Sequence, residues 1–279
     1  MKETIVMDGK KVRDTLLPEL REKYNQLGET LKLVVIQIGN FKENELYVRQ
    51  KRRMAEELGV SFQEIIFSSS DTKKTILEKI HELNIDPTVH GIMIQSPVPS
   101  SFSFLELIDQ IDPKKDVDCL TTKNQEVLFK DFKIVPATVQ GILFLLDFYR
   151  ITPKNKKIVI LGKSRLVGTP LSILLKKTNE VVLCDSKTEN TLELLKEADY
   201  IFIAIGKPGW LKRNMTKEEA VVVDIGTTIS EHQLLGDCDF KNLLGYAHAI
   251  TPVPGGVGPL TVLSLYTNLI NLYHRKQEC

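Results

Sequence analysis

An alternation of short strand-like runs with helical patterns is the feature that most constrains this chain. Runs rich in β-branched and aromatic residues at 33–38, 62–67 and 91–95 are separated by helical patterns at 44–58 and 72–83. Strands spaced by helices pair in parallel, because a crossover helix is what returns the chain to the start of a parallel neighbour. A polar, irregular stretch at 114–133 and an apolar helix pattern at 138–149 separate this series from a second one. The second series places strands at 157–161, 181–184, 200–205 and 220–225, with helices at 167–177 and 191–197. The expected fold is α/β with two domains. The first covers 1–135, and a Rossmann-like dinucleotide-binding domain covers 136–258. An apolar helix at 261–274, within a C-terminal segment 259–279, returns to the first domain.

Charge and cysteine usage exclude several function classes. Lys and Arg number 37 against 36 Asp and Glu in 279 residues, a formal charge of +1. No global field exists to recruit nucleic acid or an anionic membrane, so a small-molecule partner is expected. No run approaches the ~20 apolar residues of a membrane helix, and the N-terminus lacks the pattern of a cleaved leader, so the expected location is cytoplasmic. Cys119, Cys184, Cys238 and Cys279 are scattered, as are His81, His90, His232, His248 and His274. Neither a disulfide framework nor a metal site is expected. Without a Gly-x-Ser-x-Gly motif a hydrolase triad is disfavoured.

Chemistry concentrates in five places. Residues 250–261, Ile-Thr-Pro-Val-Pro-Gly-Gly-Val-Gly-Pro-Leu-Thr, combine fixed and permissive backbone positions into one path, a rigid wall rather than a linker. The strand at 157–161 feeds Gly162-Lys163-Ser164-Arg165-Leu166-Val167-Gly168-Thr169-Pro170. A tight turn opening a helix is what a pyrophosphate needs, although Ser164 replaces the second glycine of Gly-x-Gly-x-x-Gly and the last is displaced to Gly168. About twenty residues on, Asp185 stands where a carboxylate bonds an adenosine ribose and favours NAD. Lys163, Arg165 and Lys187 argue for a 2′-phosphate. On the helix 44–58, Tyr47 and Lys51 share a face, with Arg49, Arg52 and Arg53 nearby. A lysine working as a base near neutrality must fall from ~10.4 to roughly 7 or 8, a change of ~4 kcal/mol that burial and like charges favour. Gln95 ends an apolar strand and is placed to orient Lys51 or bind a heterocycle. Asp118, in the turn 112–118, is placed to accept paired hydrogen bonds from an aminopyrimidine-like ring, and a solvated charged loop is the plainer alternative.

Taken in order, Tyr47-x-x-x-Lys51, Gly91-Ile-x-x-Gln95-x-Pro97-x-Pro99, Lys115-Asp116-Val117-Asp118, Pro136-x-Thr138, Gly162-x-Ser164-x-x-Val167-Gly168 and Thr251-Pro-Val-Pro-Gly-Gly-Val-Gly-Pro259 resemble the methylenetetrahydrofolate dehydrogenase/cyclohydrolase family over nearly the whole chain. The resemblance implies oxidation of 5,10-methylenetetrahydrofolate with NADP, NAD being possible, and hydrolysis of the methenyl product to 10-formyltetrahydrofolate. It makes 1–135 the folate-binding catalytic domain, puts the folate in a cleft between the domains, and implies a homodimer. Lys51 would activate water, Gln95 would hold and tune it, Tyr47 would stack on the folate ring and Asp118 would bind the pterin edge. Ile94, Ser96, Pro254, Gly255, Gly256, Val257, Gly258, Pro259 and Val262 would complete the substrate site. Gly162, Lys163, Ser164, Asp185, Ser186 and Thr227 would line the dinucleotide. The chain departs from the family pattern at Cys119-Leu120-Thr121 for Gly-Phe-His, at Ser96 for leucine, at Ala137 and Val139 for cysteine and proline, and at Thr227-Thr228 for Ile-Asn. The alternatives are an NAD-dependent dehydrogenase without the hydrolytic step and a non-catalytic folate- or nucleotide-binding protein.

Overall fold

A computed structural model describes residues 3–128, 134–230 and 233–277. Its strands, in chain order, are β1 (Ile5–Val6), β2 (Lys32–Ile38), β3 (Ser61–Phe67), β4 (Gly91–Ile94), β5 (Lys157–Leu161), β6 (Glu180–Cys184), β7 (Tyr200–Ile203), β8 (Val221–Asp224), β9 (Thr228–Ser230), β10 (Gln233–Leu235) and β11 (Ala249–Ile250). The chain divides into two compact units, one of residues 16–137 and 262–279, the other of 1–15 and 138–261. His232, Cys279 and the end of the irregular stretch, 129–133, lie outside the described residues.

In the first unit the sheet order is β3-β2-β4, all parallel. β2 takes the centre because Leu33-Val34-Val35-Ile36 and Ile38 are wholly or nearly wholly buried, the continuous apolar run expected of a strand covered on both faces. The helix Lys42–Leu58 follows β2 and ends at Gly59, whose left-handed φ of 69° lets its N–H reach the carbonyls of Ala55 and Glu56. The helix Lys73–Ile85 starts at Thr72, whose side chain accepts from the N–H of Thr75. Within the expected irregular stretch the short helix Thr122–Val127 forms, capped by Thr121.

The C-terminal helix, Val257–Gln277, begins four residues earlier than the sequence pattern at 261–274, so Val257, Gly258 and Pro259 form its first turn, where proline is tolerated. From Val262 onward it belongs to the first unit. There Asn268 donates to the carbonyls of Val117 and Val135, both at 2.9 Å. The Tyr266 hydroxyl donates to the Lys51 carbonyl at 2.6 Å, and the Tyr24 hydroxyl donates to the Tyr266 carbonyl at 2.7 Å.

The second unit carries a parallel sheet of order β1-β11-β8-β7-β5-β6, with the antiparallel hairpin β9–β10 beside it. Its core gathers Val159, Leu161, Ile201, Ile203, Val222 and Ile250 from the strands, with Leu195 and Leu243 from helices. Because β1 pairs with β11, residues 1–15 join this unit, whereas the sequence reading assigned 1–135 as one block. Removing the Tyr266 hydroxyl takes a second, interhelical donor from the Lys51 carbonyl, which keeps its own helical bond, so Tyr266→Phe should lower stability by ~1 kcal/mol, read as a reduced urea midpoint at unchanged slope.

Candidate active site

Four of the predicted site residues come together in the first unit. Lys51 lies one helical turn beyond Tyr47, and its Nζ sits 5.9 Å from the centre of the Tyr47 ring. It is 7% exposed and donates to Gln95 Oε1 at 2.9 Å. Gln95 directly follows β4 and is 6% exposed. Its backbone N–H donates to the Ile36 carbonyl and its Nε2 to the Ser96 carbonyl, both at 2.8 Å. With the amide nitrogen engaged, the amide oxygen must face the lysine.

Burial pulls the Lys51 amine down to about 8, against the Asp118 carboxylate, which raises it. The arginines do not contribute as the sequence suggested. Arg52 is turned to an ion pair with Glu64 and stacks 4.8 Å from the Phe62 ring centre, while Arg49 and Arg53 are exposed. Asp118, half-buried, is pushed up to about 6 by burial, with Lys51 lowering it and the neighbouring Asp116 raising it. Asp116 is buried and accepts from the Thr121 N–H at 2.7 Å and Asn124 Nδ2 at 2.9 Å, which fixes the turn that presents Asp118.

Asn44 was missed by the sequence reading. It lies seven positions before Lys51 on the same helix face, fully buried, and its Nδ2 donates to the Pro97 carbonyl at 3.2 Å. Its Oδ1 has no partner. The spacing of 44, 47 and 51 was the available signal. Ile94 is buried in the sheet and Ser96 is exposed.

In the second unit, β5 delivers Gly162 at φ 109°, and a Cβ there would lie 2.4 Å from the Ala204 carbonyl oxygen. A Cβ on Gly168 would lie 1.7 Å from the Gly162 oxygen, so the displaced glycine serves close packing of helix on turn. The Ser164 hydroxyl accepts from the Val167 N–H at 3.1 Å, shaping the loop that opens the helix Gly168–Leu175. A tight strand-to-helix turn in which no side chain fits at 162 or 168 suits a pyrophosphate. Asp185 follows β6 and pairs with Lys163 Nζ at 3.0 Å, which holds its carboxyl below the usual range. It also accepts from the Lys187 N–H at 2.9 Å. Ser186 and Thr227 are exposed.

Pro254, Gly255, Gly256, Val257, Gly258 and Pro259 also belong to the second unit, and Val262 to the first. Gly255, at φ 110°, accepts on its carbonyl from the Gly9 N–H at 2.8 Å, which ties down the proline-glycine run. Among the described residues no group of three or more His, Cys, Asp or Glu is arranged to hold a metal.

A glycine-pinched strand-to-helix turn on one parallel sheet and a desolvated lysine beside another fit the class of dinucleotide-dependent α/β enzymes. Residues 7–118 match the catalytic domain of tetrahydrofolate dehydrogenase/cyclohydrolase, and residues 136–277 match its NAD(P)-binding domain. The bifunctional protein FolD of Lactobacillus acidophilus is 41% identical over 277 residues, covering 97% of this chain and 98% of the relative. The crystal structure of the Campylobacter jejuni bifunctional enzyme FolD superposes with a TM-score of 0.91 at 32% identity, covering 98% and 99% of the two chains. The Trypanosoma brucei enzyme, solved with NADP and an inhibitor, gives a TM-score of 0.94 at 29% identity over all of both chains. The chain belongs to the tetrahydrofolate dehydrogenase/cyclohydrolase family.

The Lys163–Asp185 pair sets opposite charges beside the turn after β5. Replacing the carboxylate in Asp185→Ser should free Lys163 for a 2′-phosphate and raise the NADP-to-NAD ratio of kcat/KM by about tenfold. An unchanged ratio would place Asp185 away from the ribose.

Proposed function

We propose that this chain oxidises 5,10-methylenetetrahydrofolate to the methenyl cation with NADP and hydrolyses that cation to 10-formyltetrahydrofolate, with Lys51 as the proton-handling group of the second step. The observation that carries this reading is the buried amine drawn down to about 8 and held by Gln95. Bound NADP supplies the hydride acceptor. Gly162, Lys163 and Ser164 would hold its phosphates, and Asp185, Ser186 and Thr227 its ribose side. The protein's share of the oxidation is approach and orientation.

Hydrolysis asks more of the side chains. Water adds to the bridging carbon, the bond from that carbon to N5 breaks, N5 takes a proton, and one proton is released overall. A neutral Lys51 amine would take the proton of the attacking water and return it as an ammonium to N5. Gln95 Oε1 would keep the amine aimed, Tyr47 would stack on the folate, and Asp118 would accept hydrogen bonds from the pterin edge. Ile94, Ser96, Val262 and the run Pro254 to Pro259 would complete the binding surface.

A homodimer working in the cytoplasm completes the proposal. β3 is an edge strand on which Ile66 stands 66% exposed. Cys119, Cys184 and Cys238 are free and buried, as suits a reducing compartment. No helix among the described residues is long and apolar enough to cross a membrane.

Lys51→Met should cut methenyl hydrolysis by about 100-fold or more while some dehydrogenase activity remains, both followed spectrophotometrically. Hydrolysis at the wild-type rate would remove Lys51 from the mechanism. In the unaltered enzyme, kcat for hydrolysis, corrected for the uncatalysed reaction, should rise with pH and level off above about 8, as the amine loses its proton. The Asp118 anion favours the ammonium form, so Asp118→Asn should move that rising limb to lower pH, whatever it does to KM. A limb that stays in place would show that the amine does not govern it.

A further inference from the structure

Two buried acids in the second unit have no part in the chemistry above. Asp237, fully buried just after β10, accepts on its carboxylate the backbone N–H groups of Ile205 at 2.7 Å, Gly206 at 3.1 Å and Lys207 at 2.6 Å. Three successive amides converging this way form a nest of the kind that binds anions, and here the chain's own carboxylate fills it. Asp224, the last residue of β8, is 3% exposed and accepts from the N–H groups of Gly226 and Asp237 at 3.0 Å and of Cys238 at 2.8 Å. The Thr251 hydroxyl accepts from the Asp224 N–H at 2.7 Å, tying in the start of the proline-glycine run. A Cβ on Gly226 would lie 2.3 Å from the Asp237 carboxyl carbon, so the backbone is pressed against this acid.

The nest bears on the nucleotide loop through one contact. It begins at Ile205, and the residue before it, Ala204, carries the carbonyl against which Gly162 rests, with 2.4 Å between that oxygen and a Cβ placed on the glycine. The Ala204 N–H is itself held by the Leu161 carbonyl at 2.9 Å, so β7 and the turn after β5 meet at this residue. A carboxylate that immobilises three amides of the segment 205–207 therefore sets the backbone on which the phosphate turn sits. Displacing it by an ångström would misplace the cradle without touching any residue of the first unit.

We propose that Asp237 is a positioning residue for the dinucleotide, holding the segment after β7 so that the turn at Gly162 to Ser164 stands ready for the pyrophosphate. This inference rests on the reading of the second unit as the NADP site. Asn at 237 retains one acceptor oxygen and the size of the side chain, whereas Ala empties the nest.

The test uses full-length Asp237→Asn and Asp237→Ala and measures the NADP Kd by titration calorimetry, the NADP KM of the dehydrogenase, and the rate of methenyl hydrolysis without nucleotide. Kd and KM for NADP should rise about tenfold in the Asn variant and further in the Ala variant, with hydrolysis within about twofold of wild type. An unchanged Kd would overturn the proposal, as would hydrolysis falling in step with nucleotide affinity, which marks a general loss of fold. Should the Ala variant fail to fold, the Asn variant decides alone. A wild-type protein that does not bind NADP would instead overturn the reading of the second unit.

Discussion

Desolvation of one amine is the interaction on which the first unit is organised. Lys51 keeps its amine in the protein because the helix carrying it is fixed on both sides of the residue. Gln95 takes the side chain from the edge of β4, and Tyr266 takes the backbone carbonyl from the C-terminal helix. Two influences oppose each other at that amine: burial lowers it and the Asp118 carboxylate raises it, with burial the larger. The same opposition acts on Asp118, where burial also prevails. The acid and the base therefore approach neutrality from opposite sides, the condition under which a proton can be passed in either direction near physiological pH. Neither shift arises from a special sequence near the residue. Both follow from packing that closes over polar groups.

The second unit solves a different problem, how to bring backbone close to a charged ligand. Here the absence of side chains matters more than their presence. Gly162 and Gly168 permit contacts that a single Cβ would forbid, and the segment after β7 is held by the Asp237 carboxylate together with the packing of Ile205 against the core. A parallel sheet collects the ends of β5, β6, β7 and β8 at one edge, so a constraint on one turn is felt at the next. Cation and anion are balanced there, because Lys163 is already paired with Asp185 before any nucleotide arrives. In the proposed NADP site a 2′-phosphate would compete with that carboxylate, whereas a ribose hydroxyl would only donate to it. The sequence held both arguments, and the structure joins them into one pair.

Legibility followed the size of each signal. The strands β2, β5 and β8 are near-continuous apolar runs and could be read directly, as could the helix bearing Tyr47 and Lys51. β1 and β11 are two residues each, too short to carry a period, and their pairing is what moves residues 1–15 into the second unit. The helix Gly9–Asn25 contains Pro18, which in a bare sequence argues for a break. At the site, helical spacing was enough to pair Tyr47 with Lys51. The meeting of Lys51 with Gln95, forty-four positions away, was legible through the strand-end placement of Gln95 and the family resemblance, whereas nothing in the sequence could show that Arg52 would turn from the amine to Glu64. Asp237 left no local pattern, since its partners are the backbone amides of 205–207, and of the three amides on Asp224 only that of Gly226 is local.

The departures from the family pattern around Asp118 are read most clearly through the backbone. Cys119 has a φ of 56°, the left-handed region that glycine enters freely and that costs another residue roughly 1 to 2 kcal/mol. Glycine is the residue the resemblance expects there, and its role is conformational. Cysteine meets that requirement at a cost that burial of its side chain and its Sγ contact with the Ile134 carbonyl at 3.5 Å partly offset. Burial and the nearby carboxylates of Asp116 and Asp118 push its thiol up, so the sulfur is inert rather than a nucleophile added to the site. Two positions later Thr121 caps the helix Thr122–Val127 and donates its N–H to Asp116. In this chain the triplet holds the turn that presents Asp118 through the left-handed Cys119 and the Thr121 bonds to Asp116 and to the helix.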